Sequence, residues 1–269
     1  ATSLISDSEN MKLHCIPILS ALFTSLVCFS NPATKISDNS PSSGIVIRWN
    51  DCEQTIDGFG IAQAGWAKEL FAFKNRKQVM DKMFGNDGLR LNILRGEIFP
   101  HYWENKEDKD FNLNDDINIE LCDSDFNNKS DDLLRRGQLW LTLEAKNKYH
   151  INKLVFSTWS APAWMKSNGK VSNGKLKPEC YQDFANYLAA FYKAYKSKGI
   201  TPYAISPSNE PGYAAPWNSS LWTADEMGKF ITSNLGPTFQ KENIPAKIIF
   251  GENPLWSVVM PQLKMVSSK

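Results

Sequence analysis

The sequence predicts an α/β fold in which parallel strands and helices alternate along one large domain. The chain has 269 residues, 42% of them hydrophobic and 22% charged, which is enough for a substantial core. Short β-branched runs alternate with segments of helical spacing, an order that implies parallel strands joined by crossover helices. Alternation alone fits both a doubly wound sheet and a (β/α)8 barrel. The positions of the tryptophans favour the barrel.

The strand and helix signals follow one another regularly after residue 43. Residues 153–158 (KLVFST) form a short apolar run typical of a buried parallel strand. Pro178 and Gly199 are typical start and stop signals of the helix between them. The full set comprises strands at 44–49, 55–60, 89–95, 153–158, 203–206 and 246–250 and helices at 75–84, 130–149, 178–199 and 223–242. The last five strands account for about the first five βα units of a barrel.

Most of the tryptophans fall directly after predicted strands. Of nine in the chain, only Trp49 and Trp140 lie within predicted elements, and the others are Trp66, Trp103, Trp159, Trp164, Trp217, Trp222 and Trp256. In a (β/α)8 barrel the segments after the strands form one face, which carries the active site. Flat apolar rings with a polar edge suit the faces of sugars. The pattern therefore favours a carbohydrate groove, with ordinary core packing of each ring as the alternative.

The N-terminus indicates export. Met11 and Lys12 precede a largely apolar run that ends in small or polar residues, the layout of a signal peptide at 11–30. The run is too short and too weakly flanked to indicate a membrane span, and the alternatives to a signal peptide are a buried N-terminal helix and an anchor. Residues 1–10 lack an initiating Met and are interpreted as upstream sequence, and the Ser/Pro-rich residues 31–43 as a linker. We expect a secreted, periplasmic or cell-surface protein.

Composition excludes several functional classes. The formal net charge of +1 gives no field for nucleic acid or an anionic membrane. Beyond the leader, Cys52, Cys122 and Cys180 are widely spaced, and only His101 and His150 are present, so zinc spacing is absent. No GxSxG elbow or complete dinucleotide fingerprint occurs. We therefore expect no metal, no cofactor and no nucleic acid partner.

The stretch YAISPSNEP at 203–211 places a carboxylate where a strand ends. Glu210 follows the strand, Asn209 supplies a neutral donor and acceptor, and Pro211 stiffens the turn. Glycoside hydrolysis needs a carboxylic acid to protonate the departing oxygen, and aromatic neighbours such as Trp159 and Tyr213 would favour its protonated form. The alternative is a simple turn with a solvated Glu. The stretch predicts a general acid.

Three motifs together resemble glycoside hydrolase family 30 over most of residues 44–256. TIDGFG at 55–60 resembles the family's first-strand motif. TWSAPAWMKSNG at 158–169 is similar to its Trp-Ser-Pro-Pro-x-Trp-Met-Lys segment, with Ala161 in place of the first proline. YAISPSNEP is similar to the fourth-strand segment that ends in the acid/base Glu. The order and separations of the motifs make the resemblance specific.

The resemblance implies roles for individual residues. Glu210 would be the acid/base, Asn209 would bind the sugar 2-hydroxyl, and Arg95, at the end of the second strand, would orient the nucleophile. For Arg95 the alternative is a surface salt bridge. Substrate contacts are expected from the aromatic residues on the same face, namely Trp66, Trp103, Trp159, Trp164, Tyr213 and Trp217. The family's side β-sandwich would include one strand at 44–52, leaving 53–269 as a partial barrel.

The chain departs from the family in its second carboxylate. The family's nucleophilic Glu follows the seventh strand, but only five barrel strands are predicted before Lys269. Glu252, after the fifth strand, would need to lie within about 5–5.5 Å of Glu210 for retention or about 6.5–9.5 Å for inversion. We expect Glu252 to bind sugar hydroxyls instead. The reading frame is interpreted as incomplete, and the fragment alone is predicted to be inactive.

The predicted function is that of a secreted retaining glycosidase. It would cleave β-glycosidic bonds in a polysaccharide, either xylan or a β-1,6-linked glucan or galactan, and be a monomer at full length. One alternative is a family 5 endoglucanase-like barrel, which TWSAPAWMK argues against. The other is a non-catalytic carbohydrate-binding protein, which would need the tryptophans but not Glu210.

Overall fold

The computed structural model describes residues 3–4, 48, 50–51, 54–63, 66–100, 103, 105–108, 137–255, 257, 259, 261 and 263. The predicted leader at 11–30 and linker at 31–43 lie outside these residues, as does most of the predicted sandwich strand at 44–52. The chain forms two compact units, one comprising residues 1–6 and 58–269 and the other residues 7–57. In the smaller unit, Arg48 and Asp51 form an ion pair of 3.3 Å.

The larger unit is built on a six-stranded sheet. In chain order the strands are β1 (Ser3–Leu4), β2 (Gly60–Ala62), β3 (Ile93–Ile98), β4 (Lys153–Thr158), β5 (Ala204–Ser206) and β6 (Lys247–Phe250). Their spatial order is β1-β6-β5-β4-β3-β2. Strands β2 to β6 are parallel, whereas β1 runs antiparallel to β6. The five parallel strands confirm the predicted alternation and the partial barrel.

Helices connect the strands and cover one face of the sheet. They are α1 (Ala67–Ala72), α2 (Arg76–Phe84), α3 (Gly137–Tyr149), α4 (Tyr181–Ser197), α5 (Ala224–Phe230) and α6 (Gly236–Lys241). A 3₁₀ turn, Pro178–Cys180, leads into α4, and a π-helical segment, Ile231–Leu235, joins α5 to α6. Helix α1 was not predicted. No helix among the described residues is long and apolar enough to cross a membrane.

The helical stretch predicted at 223–242 is present but is not uniform. Thr223 caps α5 and forms a capping box with Glu226, which explains the sharp start. Further on, the Gly236 N–H bonds to the Ile231 carbonyl five residues earlier. The following Pro237 has no N–H to donate, so a regular helical bond is missing there. A π-helical segment accommodates the gap.

Two predicted strands are displaced towards the C-terminus. Leu89 and Leu91 donate their N–H groups to the carbonyls of Lys82 and Met83 at the end of α2, at 2.8 and 2.9 Å. They are therefore unavailable to a neighbouring strand, and β3 begins only at Ile93. Consequently Arg95 lies inside β3, whereas the sequence predicted it at the end of the strand.

The first barrel strand is displaced for a different reason. Gly58 has φ +152°, and a Cβ placed there would lie 1.9 Å from Asn92 Oδ1. The N–H of Phe59 donates to the same Asn92 oxygen at 3.0 Å. A side chain thus occupies the hydrogen-bonding position that a strand ladder would use. Strand β2 forms at Gly60–Ala62 instead of across 55–60.

The main core lies between the sheet and α4. Phe156 of β4 packs edge-on against Phe191 and Tyr195 of α4, with ring centres 5.0 and 4.9 Å apart. Gln138 of α3 is buried here and donates to both the Glu97 carbonyl and the Tyr195 hydroxyl. The helix side of the sheet is therefore rigidly packed. That packing fixes the strands whose carboxyl ends carry the candidate site.

Candidate active site

Arg95 and Glu252 form an ion pair at the carboxyl end of the barrel. Arg95 lies in β3 and Glu252 follows β6, with β4 and β5 between them in the sheet. In a flat sheet, three strand spacings would separate such positions by about 14 Å. Yet Arg95 Nε donates a hydrogen bond of 2.7 Å to Glu252 Oε1. The two long side chains therefore reach towards each other across two intervening strands, as side chains do in the interior of a barrel.

Further contacts extend the ion pair into a network. Arg95 Nη2 donates to Asn209 Oδ1 at 2.7 Å, and Ser157 Oγ donates to Glu252 Oε2 at 2.6 Å. The Arg95 guanidinium also lies over the Trp159 ring, 4.5 Å from the ring centre, a favourable cation–π arrangement. Four predicted site residues thus lie together. Ser157 joins them without having been predicted.

Glu210 is held by its backbone, and its carboxylate is left available. It has φ 44°, a left-handed conformation uncommon for residues other than glycine. Its N–H donates to the Glu252 carbonyl, and its own carbonyl accepts from the Tyr213 N–H, both at 2.9 Å. Glu210 is half-buried, and within the described residues its side chain forms no hydrogen bond.

The described aromatic residues that were predicted after the strands differ in exposure: two are exposed, two are buried and three are half-buried. Tyr213 and Trp217 are 46% and 56% exposed, and their ring centres lie 6.4 Å apart. By contrast, Trp103 and Trp222 are buried, and Trp103 packs edge-on against Tyr187 at 5.2 Å. Burial favours the core alternative for these two rings. Tyr213 and Trp217 expose the largest fractions of their rings in this set.

The remaining tryptophans are intermediate between these groups. Trp66 is half-buried and donates its indole N–H to the Ala62 carbonyl at 2.7 Å. Trp164, also half-buried, donates to the Trp103 carbonyl at 3.1 Å. Each indole N–H is therefore engaged by the protein, although part of each ring is accessible. Trp256 lies outside the described residues.

Lys166, in the segment TWSAPAWMKSNG, is fully buried. Its Nζ donates to Ser160 Oγ at 3.1 Å and to the Ser219 carbonyl at 2.7 Å. Burial lowers the pKa of Lys166 to about 8. The lysine links the loop after β4 to the loop after β5. A second link is the bond from the Asn173 N–H to Ser219 Oγ at 2.9 Å.

The site offers proton transfer and hydroxyl binding. Glu210 supplies a carboxyl group, Asn209 an amide, and Arg95 a fixed positive charge beside them. No cluster of His, Cys, Asp and Glu able to hold a metal ion occurs among the described residues. The arrangement matches an acid/base centre on the loop face of a barrel.

These features define a barrel of the glycosidase class. Residues 56–251 match the family model "Glycosyl hydrolase family 30 TIM-barrel domain". The chain therefore belongs to glycosyl hydrolase family 30. The resemblance based on the three motifs is confirmed, and the family 5 alternative is set aside.

Individual relatives agree with this assignment. The chain is 28% identical over 237 residues to an endo-1,6-beta-D-glucanase of Neurospora crassa, covering 81% of this chain and 45% of that protein. It is 30% identical over 123 residues to the lysosomal acid glucosylceramidase of Mus musculus, covering 40% and 24%. The chain spans less than half the length of these curated relatives.

A solved structure shows the same fold. The catalytic domain of a family 30 xylanase C from Talaromyces cellulolyticus matches with a TM-score of 0.61 and 25% identity. The match covers 80% of this chain and 51% of that one. The five-stranded parallel sheet therefore corresponds to part of a family 30 barrel, while the side sandwich is not seen in the described residues.

Two residues of the site region, Ser157 and Lys166, were not predicted from the sequence. Ser157 lies in β4 on the same side as Lys153 and Val155, so the alternation of the strand could have marked it as facing the barrel interior. For Lys166 the sequence carries no such signal. A lysine in a polar loop is ordinarily solvated, and only the fold reveals its burial.

Proposed function

We propose that this chain is part of the catalytic barrel of a secreted glycoside hydrolase that cleaves β-glycosidic bonds with retention, with Glu210 as acid/base. One observation carries the proposal. Glu210 has its backbone fixed between Glu252 and Tyr213, while its carboxylate has no hydrogen-bond partner within the described residues. A group held in place but not engaged is suited to act on a substrate.

In this mechanism Glu210 acts twice. It first protonates the glycosidic oxygen, while a second carboxylate attacks the anomeric carbon and forms a glycosyl-enzyme. Glu210 then removes a proton from water, which displaces the enzyme carboxylate from that carbon and releases the sugar. Both Glu252 oxygens are already hydrogen-bonded, to Arg95 and Ser157. These hydrogen bonds alone do not decide the role of Glu252. Because the resemblance to family 30 places the nucleophile after the seventh strand, we propose a glutamate outside the described residues as the nucleophile.

The proposed substrate is a β-linked polysaccharide, either xylan or a β-1,6-linked glucan or galactan. The names of the relatives support this range, since they include a 1,6-β-glucanase and a xylanase. The exposed rings of Tyr213 and Trp217 support a polymer, because two neighbouring faces can stack against successive sugars. Hydrolysis assays on these polymers, with glucosylceramide as a further substrate, would rank them by kcat/KM.

We further propose export through the segment at 11–30 and a monomeric full-length protein. The charged start and apolar run of that segment support export. N-terminal sequencing of protein recovered outside the cell tests the cleavage site. Retention of the leader, or confinement of the protein to the cytoplasm, would contradict this part of the proposal.

Replacing Glu210 with Gln in the full-length protein tests the central assignment. We expect kcat on polysaccharide to fall by about 100-fold to 10,000-fold, the usual contribution of a general acid. A dinitrophenyl β-glycoside should lose much less in the bond-breaking step, because its leaving group needs no proton. The matched control is Glu242→Gln, which breaks an ion pair with Lys193 on the helix side and should leave both rates unchanged.

The outcomes separate the competing functions. Unchanged polysaccharide hydrolysis by Glu210→Gln would remove the acid/base assignment. If the unaltered protein binds polysaccharide but hydrolyses none of the substrates, the non-catalytic alternative holds. NMR of the first-formed anomer decides between retention and inversion.

A further inference from the structure

Glu252 holds the other site residues through both its side chain and its backbone. Its two carboxylate oxygens accept hydrogen bonds from Arg95 and Ser157, and its carbonyl accepts from the Glu210 N–H. We propose that Glu252 is a positioning residue, which fixes Arg95 and, through it, the amide of Asn209. This inference rests on the proposed function and extends it beyond the direct sugar contact expected for Glu252.

The orientation of the Asn209 amide follows from hydrogen-bond chemistry. A guanidinium has only donors, so the atom of Asn209 that faces Arg95 must be its oxygen. The amide NH2 is therefore turned away from Arg95, and within the described residues it has no hydrogen-bond partner. It is free to donate to a substrate hydroxyl. A rotated Arg95 would leave this orientation undefined.

Glu252 is what prevents Arg95 from rotating. Arg95 uses Nε for Glu252 and Nη2 for Asn209, so a single planar group spans both partners. Ser157 in turn fixes the second oxygen of Glu252 from β4. The four side chains come from four different strands or the loops that follow them. Glu252 thus fixes Arg95, and Arg95 fixes the Asn209 amide that is available to a substrate.

A double-mutant cycle in the full-length enzyme tests this role. Glu252→Gln keeps the shape of the side chain but gives up its charge, and we expect kcat/KM to fall by about tenfold to 100-fold, as for other supporting contacts. In the Asn209→Ala background the same change should cost less than about threefold, because residues that act through one another are non-additive. Glu252→Asp should restore part of the loss.

Two further variants distinguish a positioning role of Glu252 from a general loss of structure. Ser157→Ala removes one hydrogen bond to Glu252 without changing its charge, and it should reproduce the coupling to Asn209 at smaller amplitude. Glu242→Gln breaks an unrelated ion pair and should show no coupling. If Glu252→Gln costs as much in the Asn209→Ala background as in the native one, the positioning role is overturned.

Two other results would also overturn the inference, and neither depends on the role of Glu210. Equal kcat/KM for Glu252→Gln and the native enzyme would show that Glu252 positions nothing. Rescue of Glu252→Ala by azide, with a glycosyl azide of inverted anomeric configuration, would make Glu252 the nucleophile. Failure of the proposed function is recognised separately, by full polysaccharide activity in Glu210→Gln.

Discussion

Arg95 and Lys166 are two cations withdrawn from water in contrasting ways. Arg95 is balanced by Glu252, and the two side chains keep 21% and 24% of their surface exposed. Lys166 is 0% exposed, and within the described part of the chain its Nζ contacts only a hydroxyl and a carbonyl, with no carboxylate. The first cation has a matching charge. The second has only dipoles.

The two cations differ in whether their charge depends on pH. A guanidinium remains protonated at any pH at which proteins fold, so Arg95 supplies a constant charge beside Asn209 and Trp159. A buried ammonium without a counter-ion loses affinity for its proton, and the pKa of Lys166 is lowered to about 8 by burial. The site therefore uses the constant cation. Lys166, whose charge depends on pH, links the loops after β4 and β5 outside the site.

The largest effect is expected where a charge loses its partner. Arg95→Met should lower the free energy of unfolding by about 3 kcal/mol, the lower end for a broken buried pair, because Glu252 remains without a counter-ion. Urea denaturation at pH 7 measures the loss. The double variant Arg95→Met/Glu252→Gln should recover part of it, since no unpaired charge is left. A double variant no more stable than Arg95→Met would contradict the account.

The next effect concerns the pH dependence of stability. From pH 8 to its usual pKa of 10.5, unfolded Lys166 retains a proton that folded Lys166 has lost. The unfolded state then binds more protons, so stability should rise with pH in this window. Relative to Lys166→Met, the native protein should gain about 2–3 kcal/mol of unfolding free energy between pH 7 and pH 10.

Denaturant unfolding of the native protein and Lys166→Met at several pH values checks this prediction. Other lysines and tyrosines titrate in both proteins, so only the difference between the two curves carries the Lys166 contribution. A difference that stays constant with pH would show that Lys166 keeps its ordinary proton affinity. If the native protein instead lost stability relative to Lys166→Met as the pH rises, the predicted direction would be wrong.

The smallest effect concerns Ser160, which accepts a hydrogen bond from Lys166. Ser160→Ala removes one acceptor from Lys166 and should cost about 1 kcal/mol at pH 7. It should also move the rise in stability to lower pH, because the charged form loses a hydrogen bond. Ser219→Ala is the control, since Lys166 bonds to its backbone carbonyl. That variant should lose stability with an unchanged pH profile.

The sequence predicts local features of this fold well. Residues 153–158 form the predicted strand, in which the apolar run Leu154 to Phe156 is typical of a buried parallel strand. Helix α5 begins after Thr223 because its capping box is encoded within four residues. Displaced strands arise where other groups compete with the ladder: the Asn92 side chain at Gly58 and Phe59, and carbonyls at the end of α2 before β3. Local patterns contain no information on such competition.

The site was predicted residue by residue but not as a network. Asn209 and Glu210 could be found because the stretch YAISPSNEP contains them, and Arg95 because the family resemblance pointed to the second strand. The bond between Arg95 and Glu252, however, joins residues 157 positions apart in the chain, and it depends on the tertiary arrangement of the strands. The burial of Trp103 and Lys166 likewise depends on tertiary packing. Residue types were therefore predictable, whereas their partners were not.

The backbone conformation of Glu210 lowers stability, although the proposed function needs a carboxylate at this position. A side chain on a backbone of φ 44° carries a conformational penalty of about 1 kcal/mol that glycine would not incur. Replacing Glu210 with glycine would relieve this penalty but would remove the proposed acid/base group. An engineer who wishes to reuse this barrel as an inert scaffold can relieve the penalty at that one position.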